Sequence, residues 1–257
     1  LTVLHAGGKF GGGGYAVSPD STMVAFVSLD DARKSQVFIA RLDGTDVQQV
    51  TQHGAFAPID WSPDGAAIAY TSGWEEDLFN IFVLDLATGE TSQVTNEKPM
   101  TETCVACGPQ GAAYPQFSPD GASIVYAVSR GGDVDVRIVP VTGGKSVLLV
   151  RRAAGGTLSP DGSTLAVARN NPIFGSPLYE PGIYIAHADG TNLRSLVGGH
   201  LSGPKWSPDG TRIAYINLEY NHDTGEVKVV DVATGETTFV AEGTSSEWLD
   251  DHTLIIQ

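Results

Sequence analysis

The chain has 257 residues, 41% of them apolar, and a formal net charge of −15. That length suits one large domain or two small ones, and the apolar content supports a packed core and excludes wholesale disorder. Such acidity disfavours phosphate backbones and anionic bilayers, leaving cations, basic proteins or neutral ligands, and no apolar run nears the roughly 18–20 residues of a membrane helix.

The chain opens at Leu1 with no basic-then-apolar leader, so a trimmed or mature segment is expected. "LTVLHAG" begins it, and a strand is expected over residues 1–5. "VSPDS" follows from Val17, and near-copies recur: "WSPDG" from Trp61, "FSPDG" from Phe117, "LSPDG" from Leu158 and "WSPDG" again from Trp206. The serines stand at 18, 62, 118, 159 and 207, with gaps of 44, 56, 41 and 48 residues. A degenerate sixth copy, "WLDDHTLII", starts at Trp248. Six copies in this length give about 43 residues each, the period of a four-stranded propeller blade.

Each copy predicts the same order of elements. A short apolar run comes first: "MVAFVS" from Met23, "AIAYTS" from Ala67, "SIVYAV" from Ser123, "TLAVAR" from Thr164 and "RIAYIN" from Arg212. A polar loop of variable length leads to a second run, as in "QVFIARL" from Gln36, "NIFVLDL" from Asn80 and "EVKVVDV" from Glu226. Hairpin signals close it: "DGT" at Asp43 and Asp189, "TGE" at Thr88 and Thr234, "TGG" at Thr142. A third run follows, such as "VQQVT" from Val47 or "SVLLV" from Ser146. Short runs rich in Val, Ile and Tyr between regular turns predict strands, and no amphipathic helix is predicted.

The repeated Ser-Pro-Asp-Gly is read as a structural turn. Pro presets φ at the first corner, Asp accepts backbone hydrogen bonds and Gly takes the left-handed position. The apolar residue before Ser anchors the innermost strand in the core. Five equivalent catalytic aspartates would make little chemical sense.

The unit "WSPDG..IAY…IFVLDLATGE..QVT" resembles the TolB-like β-propeller repeat, a WD-repeat-like family, over nearly the whole chain. The resemblance implies an all-β fold: a single six-bladed β-propeller over residues 1–257, built of four-stranded antiparallel blades. The N-terminal strand is expected to close the ring beside residues 253–256, in a C-terminal blade that is one strand short. Members of the family include the periplasmic TolB protein, propeller domains attached to serine peptidases, and lyases. The fold alone does not choose among these.

Candidate functional residues follow in chain order. The Ser-Pro-Asp-Gly turns take one face, so the variable loops collect on the other, where binding groups concentrate. His53 and Phe56 fall in the first blade-to-blade loop. "GWEEDLFN" brings Trp74, Glu75 and Asp77. Cys104 and Cys107 form a Cys-x-x-Cys in the long insertion. A local disulfide is the first reading; half a metal site would need a second pair, and a redox motif a following helix in place of Gly108-Pro109. Tyr114 ends that insertion. "NNPIFGSPLYEPG" carries Phe174 and Tyr179, His200 sits in another blade-to-blade loop, and "LEYNHDTG" carries Tyr220 and His222. Aromatics flanked by carboxylates suit a peptide, a sugar or a cationic group.

No Gly-x-Ser-x-Gly elbow, His-Glu-x-x-His or phosphate loop is present. His53 and His200 occupy equivalent loops, but a zinc or manganese site needs a third ligand that the sequence does not place. The expectation is therefore a monomeric, non-catalytic binding or scaffolding propeller, periplasmic or extracellular. Its partner is a protein or a small-molecule ligand such as a carbohydrate, with no nucleic acid and no membrane insertion. No cofactor is expected, with calcium or another divalent metal in the channel as the alternative. The rival readings are a metal-dependent lyase or hydrolase built from several blades, or the substrate-gating domain of a larger peptidase.

Overall fold

The computed structural model describes residues 2–5, 14–52, 54–73, 78–97, 110–130, 133–169, 180–218 and 225–257. Regular structure among them is strand throughout. No helix among them is long and apolar enough to cross a membrane. The chain divides into two compact units, Gly8–Val147 and Leu1–Gly7 with Leu148–Gln257. β1 (Thr2–His5) belongs to the second.

In the unit Gly8–Val147, β2 (Tyr15–Val17), β3 (Met23–Leu29), β4 (Ser35–Arg41) and β5 (Gln48–Gln49) form one antiparallel sheet in chain order. β6 (Phe56–Trp61), β7 (Ala67–Ser72), β8 (Leu78–Asp85) and β9 (Thr91–Gln93) form a second. β10 (Gln110–Phe117), β11 (Ser123–Arg130) and β12 (Asp133–Pro140) form a third antiparallel set, joined edge to edge with the second through the parallel β10–β8 pair. β13 (Val147–Val150) follows, and the division between the units falls inside it.

The other unit repeats the plan. β14 (Ala154–Leu158), β15 (Thr164–Arg169), β16 (Gly182–His187) and β17 (Arg194–Gly198) make one sheet. β18 (Leu201–Trp206), β19 (Arg212–Asn217), β20 (Glu226–Asp231) and β21 (Thr237–Glu242) make the next. β22 (Ser246–Asp250), β23 (Thr253–Ile256) and β1 make a three-stranded sheet ordered β1-β23-β22.

β1 lies beside β23 as expected, from Thr2 opposite Thr253 to His5 opposite Ile256. It runs parallel, however, where an antiparallel blade was expected. A two-residue turn joins β22 to β23 and forces them antiparallel. β1 comes from the other end of the chain with no tight turn to dictate its direction, so parallel pairing is open to it.

The apolar runs are continuous because both faces of each sheet are buried. In β7, Ile68 and Tyr70 pack with Ala25, Val27 and Val37 of the preceding sheet. Ala69, between them, packs with Ile124 and Tyr126 of the following sheet. β19 does the same: Ile213 and Tyr215 pack with Ala166 and Ile183, and Ala214 with Trp248 and Leu254. The repeated Ile-Ala-Tyr thus presents bulk to one neighbour and a small surface to the other.

The Ser-Pro-Asp-Gly turns close the first hairpin of five sheets. Ser62 Oγ donates to Asp64 Oδ1 at 2.6 Å and accepts from the Ala67 N–H at 2.8 Å. Asp64 Oδ1 also accepts from the Ala66 N–H at 3.0 Å. The serine–aspartate bond recurs at Ser18–Asp20, Ser118–Asp120, Ser159–Asp161 and Ser207–Asp209, at 2.5–2.6 Å. Each of these five carboxyls is held below its ordinary pKa, first by the serine hydroxyl and next by a backbone N–H. Gly65 takes φ +71°, as the sequence requires. A methyl placed on it would lie 3.9 Å from Pro19 of the preceding turn. Gly121 and Pro63, and Gly210 and Pro160, are related in the same way, so neighbouring turns abut.

In four of the six copies the residue at the position before the serine, or its equivalent, ties sheet to sheet. Trp61 Nε1–H donates to the Ala16 carbonyl of the preceding innermost strand at 3.0 Å. Trp206 reaches the Thr157 carbonyl at 3.2 Å, and Trp248 the Lys205 carbonyl at 3.0 Å. Each acceptor lies two residues before its own turn serine or the equivalent site. Phe117 has no ring donor. There the Phe117 N–H donates to Asp60 Oδ2 of the preceding sheet at 2.7 Å.

Two outcomes test this account. Trp61→Phe keeps an aromatic ring but removes the donor, and is expected to lower the unfolding free energy in urea by about 1–2 kcal/mol. Trp61→Ala is expected to cost about 3–5 kcal/mol. The turn aspartates give a pH dependence. Their folded pKa lies below the unfolded one, so their stabilisation is present above the ordinary carboxylate range and is lost as pH falls through it. The stability deficit of an Asp64→Asn, Asp120→Asn double variant is expected to be smaller at pH 3 than at pH 7 by urea titration.

Candidate functional site

The β3–β4 loop is set by Asp30. Its Oδ1 accepts the Lys34 N–H at 2.8 Å, and its backbone exchanges hydrogen bonds with Lys34 and Arg33. The Lys34 N–H is the main reason that the Asp30 carboxyl stays below its ordinary pKa. The loop is short and fixed, with Arg33 at φ +60°. It leaves the Arg33 and Lys34 side chains exposed.

Two matching amide–threonine networks hold the ends of the second hairpins. Thr51 Oγ1 donates to Gln36 Oε1 at 2.9 Å and accepts from the Val37 N–H at 2.8 Å. Thr95 Oγ1 donates to Asn80 Oδ1 at 3.0 Å and accepts from the Ile81 N–H at 2.9 Å. Gln49 and Gln93 then cap the Thr51 and Thr95 carbonyls, at 2.7 and 2.8 Å. Asn80 Oδ1 also accepts the Glu97 N–H at 2.8 Å. Buried Glu97 accepts a hydrogen bond from the Tyr126 hydroxyl at 2.9 Å, and burial pushes the Tyr126 pKa up to about 12.

Between these hairpins, on the loop side, the first and second sheets leave a cleft of about 690 Å³. Arg33 and Lys34 stand on one side, with Leu29 at 57% exposure. Ser72, Asn80 and Phe82 stand on the other, and Gln52, Gly54 and Phe56 between them. Phe56 packs edge-on against Phe79, with centroids 5.4 Å apart. Gly111 pairs with Phe79 where β10 meets β8 in parallel. A Cβ there would fall 2.2 Å from the Phe79 carbonyl oxygen, so glycine is required for this approach.

Of the residues singled out in the sequence, three are described. Phe56 is the first residue of β6 and lines the cleft. Tyr114 lies inside β10, not in the loop expected for it, where the register shifts between Ala113 and Gln116. It is 50% exposed at φ +58°. It stands four residues before its turn serine, where other sheets have Gly14, Gly155 and Gly203, all at positive φ. Tyrosine pays a steric cost there that glycine does not. His200 is exposed in the other unit, between β17 and β18, and its carbonyl accepts the Leu218 N–H at 2.8 Å. His53, Trp74, Glu75, Asp77, Cys104, Cys107, Phe174, Tyr179, Tyr220 and His222 lie outside the described residues. Among the described residues no cluster of three or more His, Cys, Asp or Glu is placed to hold a metal ion.

Sequence reading missed Arg33, Lys34 and Asn80. The available signal was the repeated Gln-Val-Thr at residues 49–51 and 93–95. Each threonine stands 15 residues after its amide partner.

The profile described as "TolB beta propeller domain" matches residues 15–176, more than half of the chain. The chain belongs to this family. It is 25% identical over 212 residues to an uncharacterized protein of Agrobacterium fabrum, covering 79% of this chain and 68% of that one. It is 23% identical over 233 residues to the Tol-Pal system protein TolB of Francisella tularensis subsp. mediasiatica, covering 86% of this chain and 50% of that one. Among solved structures it is similar to TolB from Acinetobacter baumannii, with a TM-score of 0.71 at 20% identity over 94% of this chain and 56% of that one. The chain spans about half the length of the TolB proteins it matches.

Tyr114→Gly and Tyr114→Ala remove the same ring contacts and differ in backbone freedom. The glycine variant is expected to be more stable than the alanine variant by about 1 kcal/mol in urea unfolding, the reverse of the order in an ordinary strand.

Proposed function

We propose that this chain is a non-catalytic, protein-binding propeller that recognises its partner through the loop face. Tyr114 carries the reading. A half-exposed tyrosine occupies a left-handed position at which three sister sheets use glycine. A residue kept at a steric cost, with its ring in solvent, suits a contact that repays the cost on binding. The cleft between the first and second sheets supports the same reading. Its lining of amides, hydroxyls, aromatic rings and two cations is the chemistry of peptide recognition. The family's Tol-Pal system proteins give the class of assembly, and on that basis the protein works in the periplasm or outside the cell. The same proposal holds the six sheets of residues 1–257 to be one six-bladed propeller closed through β1.

The test is retention of envelope proteins of the source organism on immobilised chain, followed by calorimetry with each purified candidate. A partner is expected whose Kd rises about 10- to 30-fold for Tyr114→Gly, the loss of a tyrosine hot spot of about 2 kcal/mol. Binding that is indifferent to Tyr114 for every retained protein overturns the reading.

A further inference from the structure

Resting on the protein-binding reading, and narrowing it, we infer that the cleft between the first and second sheets takes a carboxylate-bearing segment: an acidic peptide side chain followed or preceded by an apolar one. The protein as a whole is strongly acidic, at −15. The described lining of the cleft reverses that sign, with Arg33 and Lys34 and no carboxylate. Neither cation makes an ion pair among the described residues, and Asp30 is occupied with the loop backbone and Gln36 Nε2.

Asn80 supplies a directed donor. It is 8% exposed. Its Oδ1 is taken by two buried donors, the Thr95 hydroxyl and the Glu97 N–H. Those bonds fix which way the amide faces, because turning it over would set Nδ2 against two donors. Nδ2 is left for an acceptor in the cleft that Asn80 lines. A carboxylate answers all three groups: one oxygen for the amide, the other for a guanidinium fork or ammonium. Beside them Phe56, Phe82 and Leu29 give an apolar bed. Two or three peptide residues fit a space of about 690 Å³. A bare inorganic anion would leave the apolar bed unused.

Glu75, Glu76 and Asp77 join Gly73 to Leu78 in the sequence and lie outside the described residues. The test therefore includes a cationic probe. The 15N-labelled chain is titrated with acetyl-Phe-Glu-amide, the neutral acetyl-Phe-Gln-amide and the cationic acetyl-Phe-Lys-amide, following the Gly54 backbone and Asn80 side-chain amides by NMR. The glutamate probe is expected to give saturating shifts at both positions. The other two are expected to bind about tenfold more weakly, the loss of one charge-assisted hydrogen bond. Arg33→Gln with Lys34→Gln, both exposed, is expected to weaken the glutamate probe about tenfold and leave the urea midpoint unchanged. Equal binding of the glutamine probe, preference for the lysine probe, or indifference to the double variant overturns the inference. So does the absence of saturable shifts. Saturable shifts confined to other loops remove the cleft while leaving the protein-binding reading intact. That reading fails separately, through partner retention indifferent to Tyr114.

Discussion

The hydrogen bond from a tryptophan ring to the backbone of the preceding sheet is the constraint on which the arrangement depends. A face of Val, Ile and Ala attracts any apolar neighbour, because hydrophobic burial has no direction. Left to burial alone, the sheets would be free to slide. Trp61 removes that freedom by pairing one buried donor with one carbonyl, at Ala16, so that a shift of one residue would leave both unpaired. Trp206 and Trp248 repeat the bond within the other unit. Where Phe117 replaces tryptophan, Asp60 supplies the tie from the opposite direction. The substitution changes the chemistry of the link and keeps its position.

The acidity of the chain also has a structural origin. Eleven aspartates among the described residues accept local hydrogen bonds that hold their carboxyls below the ordinary pKa. They sit in the Ser-Pro-Asp turns, the Asp-Gly-Thr hairpins at Asp43 and Asp189, the Asp-Leu-Ala-Thr and Asp-Val-Ala-Thr hairpins at Asp85 and Asp231, and two further turns at Asp30 and Asp250. Net charge is therefore a poor guide to the ligand of this protein. Much of it belongs to corners that recur with every repeat. The local sign at a cleft, set by Arg33 and Lys34, carries more information than the sum.

What the sequence revealed was whatever is encoded locally and repeated. β7, β15, β19 and β20 begin where their apolar runs begin, because a turn of fixed chemistry precedes or follows each. The structural role of the five turn aspartates was legible for the same reason: serine and proline before each, and a residue at positive φ after it (glycine in four turns, Ser21 in the first), set the turn geometry. The direction of β1 was not legible, since no turn fixes it. Nor was the cleft, which joins residues 33, 56 and 80 through contacts between sheets. No periodicity records that convergence. Tyr114 was legible as an exposed aromatic but not as a backbone exception. That required aligning it with Gly14, Gly155 and Gly203, and a φ value which the residue type alone argues against.

The two unusual features of the unit Gly8–Val147 place different demands on stability. At Tyr114 the cost is conformational and local, and the neighbouring pairs of β10 and β11 hold the strand on either side of the shift. At Asn80 there is no strain. The side chain spends its acceptor inward, on Thr95 and Glu97, and keeps its donor outward. Glu97 in turn is fixed by Tyr126, a residue of the third sheet's core. The donor facing the cleft is thus positioned by a buried chain of hydrogen bonds from the second sheet to the third. Such a chain loses little on binding, because its members are ordered before a ligand arrives. A rigid donor beside two exposed cations divides the work in a usable way. Asn80 selects the position of an acceptor, and Arg33 and Lys34 adapt to its charge.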